Sequence, residues 1–380
     1  MIGTLLLSFS AVLAYYSMKI LFMSSNKTGI YSYGALLSAA TAPIAGPLLD
    51  VVIVLYGSGV VIAYYVFLGD FMPSLAAGLG IEFLMNRTVC LVLCGACAIP
   101  FALPRKLSAL QYISPISTVA LVLTAIVAVV RLPRMSDQLS PEQAELDAFL
   151  FGMPLFKCFT ISLFAFICHM NVVSVAGELL HPTLPRASKI AFRAAITQLV
   201  FYLVIGISGY MSFGQTVHQN FVTNYPSDDG LIIMCRFLLT LTIFFAIPIN
   251  TNPTANAFVH LLLTTGLAPD AYASDMETPL VNGQIALEVE PLRRTRIGTA
   301  IYVLVQGVIV AIYAPGVADV ISILGGSFGT LIMLVCPAII YCSVFKEELG
   351  TTKSKFMIGL LSGASLVSGF AVLATIMKWI

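Results

Sequence analysis

Ten apolar stretches, most of them about 20 residues long, divide the 380-residue chain. The hydrocarbon core of a bilayer is about 30 Å thick, and an α-helix needs about 20 apolar residues to cross it. The sequence therefore predicts an all-α, polytopic membrane protein with about ten transmembrane helices, surrounded by a lipid bilayer. The stretches lie near 1–23, 48–69, 88–103, 109–130, 154–179, 190–213, 231–263, 297–314, 318–344 and 356–378.

The composition agrees with this interpretation, since 59% of the residues are hydrophobic and only 10% are charged. Soluble domains carry roughly 25% charged residues, so a soluble enzyme is excluded. The 19 basic residues nearly balance the 18 acidic ones, which leaves no basic excess for contacts with nucleic-acid phosphates. The stretches contain neither a nucleophile–base pair nor a metal-ligand spacing, so we expect a protein that is not an enzyme, without metal or cofactor.

Basic residues gather in the connections on one side of the predicted bundle. Lys and Arg in short connections favour the cytoplasm. One alternating set of connections holds thirteen of the 19 basic residues and is predicted to be cytoplasmic, which places both ends of this chain outside. We expect the plasma membrane, with a vacuolar or lysosomal membrane as the alternative. The thirteen residues are Lys19, Lys27, Arg105, Lys106, Arg186, Lys189, Arg193, Arg293, Arg294, Arg296, Lys346, Lys353 and Lys355.

Two stretches carry polar residues at membrane depth. The fifth holds the imidazole of His169 and the carboxamide of Asn171 near its middle. Such residues either form hydrogen bonds between neighbouring helices or mark a discontinuous helix that holds a polar solute, and we favour the discontinuous helix. The seventh has three Asn and two Pro in 248–256, a composition that suits a pathway or ion site as well as structural hydrogen bonds.

Two hydroxyls precede that cluster by one to two helical turns. Thr240 and Thr242 can donate oxygens to a cation, although hydrogen bonds to carbonyls of their own helix are the commoner arrangement.

Two further patterns are interpreted as packing. Cys90, Cys94 and Cys97 share one face of an apolar helix, and the pair Gly325 and Gly329 favours close helix contact.

Four short segments carry a resemblance to a known family. They are Lys27–Tyr33, Gly57–Asp70, Phe164–Leu179 and Leu324–Tyr341, in this order along the chain. With them the sequence resembles the amino acid/auxin permease family, part of the amino acid–polyamine–organocation superfamily, over essentially its whole length. The resemblance implies an eleven-helix secondary transporter for amino acids, in which two five-helix repeats of opposite orientation precede an eleventh helix.

The sequence departs from that family at its start, where the family's Gly-rich first helix has no counterpart. The charge pattern agrees, because four stretches before the 131–153 connection make both halves begin outside, whereas inverted repeats need one more span. We therefore expect one transmembrane transporter domain with the inverted-repeat amino acid transporter fold. Within it, 1–130 is an incomplete first repeat, 131–153 an extracellular loop, 154–344 the second repeat and 356–378 an extra C-terminal helix.

The resemblance also assigns candidate site residues on the family's broken sixth helix, which faces the substrate, and on its eighth helix, where coupling ions bind. The substrate candidates are Phe164, Cys168, His169 and Asn171, and the ion candidates are Thr242 and Asn250. The implied function is secondary active transport of amino acids by alternating access, coupled to H⁺ or Na⁺. Two alternatives stay open: an amino acid sensor or receptor on the same scaffold, and a truncated fragment that does not transport.

Overall fold

The computed structural model describes residues 2–103, 113–140, 142, 152–179, 183–265, 290–314 and 316–377. Within them, nine helical segments are long and apolar enough to cross a membrane, and a shorter apolar helix covers Arg87–Ala102. Each of the ten predicted stretches overlaps one of these segments. The all-α, polytopic membrane fold expected from the sequence is thereby confirmed, whereas the division into repeats stays a prediction.

Thirteen α-helices follow one another along the described residues. The first five are α1 (Ile2–Thr28), α2 (Tyr33–Ala40), α3 (Ala45–Leu79), α4 (Arg87–Ala102) and α5 (Ile113–Ser136). The next five are α6 (Met153–Ala165), α7 (His169–Glu178), α8 (Leu184–Phe213), α9 (Gly230–Thr264) and α10 (Glu290–Tyr313). The last three are α11 (Val317–Leu324), α12 (Cys336–Val344) and α13 (Thr352–Met377).

Several helices continue beyond the apolar stretches that predict them. The helix α3 runs on to Leu79, and α5 extends to Ser136, into the segment predicted as an extracellular loop. A helix satisfies its own backbone hydrogen bonds in water as well as in lipid, so apolar length marks only the part that lies in hydrocarbon. The short helix α2 was not predicted from the sequence. Residues 141 and 143–151 of the 131–153 connection lie outside the described residues, and so does the segment 266–289 between α9 and α10.

The helix α3 is the central element, because its side chains contribute to two apolar cores. One core is shared chiefly with α1, α6, α8 and α12, and the other with α4, α9 and α10. Two glycines of α3 allow its neighbours to approach closely. A Cβ at Gly57 would overlap Thr254 of α9, and a Cβ at Gly59 would overlap Leu324 of α11.

The fifth predicted stretch is discontinuous, as the sequence led us to expect. The helix α6 ends at Ala165 and α7 begins at His169, and the three residues between them leave the helical path. Neither Pro nor Gly occurs at 166–168, so local breakers do not explain the interruption. A neighbouring glycine gives room for it, since a Cβ at Gly329 would overlap the side chain of Ile167.

Two π-helical segments, Gly325–Gly329 and Leu331–Val335, connect α11 to α12 beside this break. A Cβ at Gly325 would overlap the carbonyl oxygen of Thr160 in α6, so these glycines serve close helix packing as expected.

The expected cysteine face of α4 needs a correction. Cys90 and Cys94 are buried, but Cys97 is exposed. The buried face of α4 follows the i, i+4 row through Cys90, Cys94 and Ala98, and Cys97 falls outside that row.

Candidate functional site

The break between α6 and α7 is held on one side by Tyr202 of α8. Its hydroxyl donates a hydrogen bond of 3.0 Å to the carbonyl oxygen of Ala165, at the last position of α6. Its ring packs edge-on against Phe166, with the ring centroids 5.5 Å apart. The last carbonyls of a helix have no partner within that helix. Tyr202 therefore satisfies one of the backbone groups that the break sets free.

Two tyrosines of α3 face the same region. The ring of Tyr56 lies 6.1 Å from that of Phe164, centroid to centroid. Tyr64 accepts a hydrogen bond of 3.3 Å from Nδ2 of Asn250 in α9 and lies within electrostatic reach of Tyr202. The aromatic lining of the break thus consists of Tyr202, which contacts it directly, and Tyr56, which packs against the last turn of α6. Asn250 reaches this region through Tyr64. Of the substrate candidates, Phe164 faces this aromatic lining.

Cys168 occupies the other end of the break and is half-buried. Its thiol contacts Sδ of Met18 in α1 at 3.5 Å and lies within electrostatic reach of Tyr56 and Tyr202. A thiol in these surroundings acts as a small, polarisable surface and as a weak hydrogen-bond donor. The structure therefore brings Phe164 and Cys168 together at one site, with the tyrosines between α3 and α8.

His169 points to a different neighbour, the helix α1. It has no exposed surface, and its Nε2 lies 2.7 Å from Oγ of Ser17. Ser17 Oγ also lies 2.8 Å from the carbonyl oxygen of Leu13 and 3.1 Å from that of Ala14, and it donates its single proton to these carbonyls of its own helix. The serine can then accept a proton only from Nε2–H of the imidazole. This geometry matches the first of the two interpretations of His169, a hydrogen bond that joins neighbouring helices.

Asn171 lies in the first turn of α7, with an exposed side chain. It therefore does not share the enclosed surroundings of Phe164 and Cys168. The four substrate candidates fall into three environments: the aromatic lining of the break, the contact with α1, and the exposed side of α7.

The two ion candidates lie far apart on α9. Eight residues separate Thr242 from Asn250, which corresponds to about 12 Å along a continuous helix, and α9 continues through both Pro248 and Pro253. Cation ligands lie about 2–2.6 Å from the ion, so one ion cannot contact both side chains.

Their hydrogen bonds also differ. Asn250 binds Tyr64 and donates 3.0 Å to the carbonyl of Ala246, whereas the buried Oγ1 of Thr242 has no hydrogen-bond partner within the described residues. Thr240, by contrast, donates 2.7 Å to the carbonyl of Arg236, the usual arrangement for a threonine in a helix. The side-chain oxygen of Thr242 is therefore available to a ligand.

Another asparagine of the cluster has a structural role. Asn252 accepts a hydrogen bond of 2.6 Å from the buried guanidinium of Arg296 in α10, and its amide donates to the carbonyl of Pro248.

The described residues contain no group of three or more His, Cys, Asp or Glu that could hold a metal ion. Tyr56, Tyr64, Tyr202 and Ser17 are not among the site residues predicted from the sequence. The one signal that could have found any of them is the family resemblance, since Tyr64 lies in the segment Gly57–Asp70.

Comparisons with known proteins point in one direction. The family profile described as "Transmembrane amino acid transporter protein" matches residues 1–378. The chain is 31% identical over 272 residues to the Toxoplasma gondii protein named "Putative amino acid transporter AAT1". It is 28% identical over 334 residues to vacuolar amino acid transporter 6 of Saccharomyces cerevisiae. It is 23% identical over 326 residues to sodium-coupled neutral amino acid transporter 7 of Xenopus laevis.

These matches cover different shares of the proteins compared. The alignment with the Toxoplasma gondii protein covers 71% of this chain but only 37% of that protein. The Saccharomyces cerevisiae alignment covers 78% of this chain and 72% of the relative, and the Xenopus laevis alignment covers 84% and 68%. The chain thus spans well under half the length of the Toxoplasma gondii relative.

Proposed function

This chain belongs to the transmembrane amino acid transporter protein family, and we propose that it is a secondary active transporter that moves amino acids across a membrane by alternating access. Family membership places it among transporters rather than enzymes. The names of its relatives support amino acids as the substrate class, and the Xenopus laevis relative supports Na⁺ as the coupling ion, with H⁺ as the alternative.

The observation that carries the proposal is the helix break enclosed by aromatic side chains. A break leaves backbone carbonyls at the end of one half-helix and backbone N–H groups at the start of the next. The N–H groups match the carboxylate of an amino acid and the carbonyls match a positive charge, and transporters use broken helices to bind anionic substrate groups and coupling cations. We place the substrate at 166–168, against Phe164 and Cys168, with the hydroxyls of Tyr64 and Tyr202 facing it.

The other two substrate candidates receive different roles in this proposal. His169 holds the first turn of α7 against Ser17 of α1 and so positions the N–H groups that bind the carboxylate. Asn171, exposed on the same turn, contacts the amino acid on its path to or from the break. The contact of His169 with Ser17 supports the first role, and the exposure of Asn171 supports the second.

The ion candidates are also separated. The unpartnered hydroxyl oxygen of Thr242 is the proposed ligand of the coupling ion, since hard cations bind oxygen. Asn250, which holds Tyr64, belongs to the substrate side. The helix α9 then carries the ion and the substrate about two turns apart.

Uptake into vesicles that contain the purified full chain tests the transport proposal. We expect saturable accumulation of at least one amino acid from a panel, driven by an inward Na⁺ or H⁺ gradient. Saturable binding without accumulation would instead identify a sensor or receptor. Neither uptake nor binding of any amino acid in the panel would refute the proposal.

Two variants with matched controls test the sites. Phe164→Ala should raise the KM for the amino acid, while Phe356→Ala, at an exposed position of α13, should leave KM unchanged. Thr242→Val should weaken the dependence of uptake on the driving ion, while Thr240→Val, which removes a hydroxyl bound to its own helix, should not. Equal effects of the two threonine variants would remove the ion assignment.

A further inference from the structure

A cavity of about 360 Å³ opens between α1, α8, α12 and α13, away from the break. Its lining includes the first turns of α8 and α13 and the C-terminal half of α1, all on the predicted cytoplasmic side of the bundle. None of the six candidate site residues lines it. The cavity is therefore separate from the candidate site.

Two lysines contribute positive charge to this cavity. Lys19 projects from α1 and is half-buried, and Lys353 lies in the first turn of α13. Among the described residues, neither ammonium forms an ion pair with a carboxylate; the contact of Lys19 is with the ring of Tyr15, 5.8 Å from its centroid. Glu348 is the single carboxylate in the lining. With two ammonium groups and one carboxylate, the lining of the cavity carries a net positive charge.

Hydroxyl groups and a helix end add to this charge. Thr351 caps α13, since its Oγ1 accepts a hydrogen bond of 3.2 Å from the backbone N–H of Ser354. The hydroxyls of Ser354 and Tyr341 lie 2.8 Å apart in the buried wall of the cavity. The N-terminus of a helix is positive, so the start of α13 favours an anion at the same place as the two lysines.

The remaining lining is mostly apolar: Ile20, Met23 and Met357 form an apolar wall, and Tyr16, Pro185 and Ser188 complete it. A cavity with a cationic rim and an apolar wall suits an amphipathic ligand better than a fully hydrated ion. The position of the cavity along the bundle agrees with such a ligand. It lies where α8 and α13 begin, next to the connections that hold most of the basic residues. Basic pockets between transmembrane helices on the cytoplasmic side bind the head groups of anionic lipids.

We propose that this cavity binds the phosphate group of an anionic phospholipid from the predicted cytoplasmic leaflet. Lys19 and Lys353 contact the phosphate, and Ile20, Met23 and Met357 contact the apolar part of the lipid. A soluble phosphate would make the same contacts with the two lysines but none with the apolar side chains. The two sources can therefore be separated by experiment.

The test measures lipid binding to the purified full chain. Native mass spectrometry in detergent gives the dissociation constant for phosphatidic acid, with phosphatidylcholine as the neutral reference. The double variant Lys19→Gln/Lys353→Gln removes both cavity ammoniums. Its matched control, Lys346→Gln/Lys355→Gln, removes two exposed lysines from the same predicted side but outside the cavity.

A basic residue near anionic lipid is worth about 1 kcal/mol, or roughly a fivefold change in affinity. We expect the cavity variant to bind phosphatidic acid about 25-fold more weakly, while the control keeps the affinity of the unaltered chain. Equal affinity of the cavity variant and the control would overturn the proposal. Glu348→Gln provides a second test if the double variant does not fold, because removing the carboxylate should tighten binding about fivefold, and unchanged or weaker binding would refute it.

Inorganic phosphate separates the two ligand sources. If the ligand is a lipid, millimolar phosphate should leave the dissociation constant for phosphatidic acid nearly unchanged. If phosphate displaces the lipid from the unaltered chain at such concentrations, a soluble phosphate is the ligand and the lipid assignment is overturned.

Discussion

Replacing Ser17 by Ala tests whether His169 acts through α1 or on the substrate. The substitution removes the hydroxyl that lies 2.7 Å from Nε2 of His169. The carbonyl of Ala14 in the same helix is a second hydrogen-bond partner of the imidazole, which is fully buried. Ser17→Ala therefore removes one of the two hydrogen bonds that join His169 to α1, and changes neither the charge nor the fit of the backbone.

The expected loss can be bounded from two sides. Hydrogen bonds between transmembrane helices contribute about 0.6 kcal/mol on average, and an unsatisfied buried polar group costs about 1–3 kcal/mol. Because the Ala14 carbonyl still binds the imidazole, Ser17→Ala should lower the free energy of unfolding by about 1 kcal/mol, near the lower of these two values. His169→Ala should lower it by about 3 kcal/mol, because it also leaves a cavity about the size of the imidazole ring. The double variant should cost about 1 kcal/mol less than the sum, since both changes remove the same bond.

Unfolding of the purified chain in detergent gives the three free energies, and uptake into vesicles gives KM. Ser10→Ala is the matched control: it lies in the same helix, is fully buried, and its hydroxyl has no hydrogen-bond partner in the described part of the chain. It should leave stability nearly unchanged. Additive losses for Ser17 and His169, together with a raised KM in His169→Ala alone, would refute the positioning role and place His169 in contact with the substrate.

Three further predictions concern other contacts. Lys157→Gln removes the 2.7 Å ion pair with Asp319 that joins α6 to α11; because the pair is partly exposed, unfolding should show a loss of at most about 1 kcal/mol that shrinks in high salt. Gly325→Ala forces a Cβ against the Thr160 carbonyl and should cost about 1–3 kcal/mol, whereas Gly363→Ala, with open space around it, should not destabilise. Burial raises the pKa of Asp229, but the hydrogen bonds and charge of Arg131, with two backbone N–H groups, outweigh this and hold that pKa below its usual value of 3.8. Its stabilisation is thus present above 3.8 and lost as the pH falls through the lowered pKa, so Asp229→Asn should be less stable at pH 7 and lose less stability in acid.

The sequence predicts the helices well because their cause is local. A stretch long and apolar enough to cross the bilayer becomes a helix wherever it packs, so all ten stretches recur as helical segments. The helix break was also predictable, since His169 and Asn171 are costly at membrane depth. The contact that accommodates it, however, is tertiary: Ile167 packs where Gly329 lacks a side chain, and the two residues are far apart in the sequence.

The side chains that surround the break could not be predicted in the same way. Tyr56 and Tyr202 lie in apolar stretches, where a tyrosine is an ordinary packing residue, and nothing local distinguishes them. They become candidates only because α3 and α8 meet the end of α6. The direction of His169 toward Ser17 depends likewise on how α7 is rotated about its axis, which the break sets and the sequence pattern does not reveal.

The arrangement of α3 and α9 indicates which part of the proposed transporter moves. Gly57 lets α9 approach α3 closely, and the hydrogen bond between Asn250 and Tyr64 joins the same two helices near the proposed substrate. Since α9 is one continuous helix, the proposed ion ligand Thr242 and the contact with Tyr64 both lie along the same pair of helices. We therefore expect the distance between ion and substrate to change little during transport. We expect alternating access to arise from α6 and α7 instead, because the break at 166–168 allows the two half-helices to tilt independently.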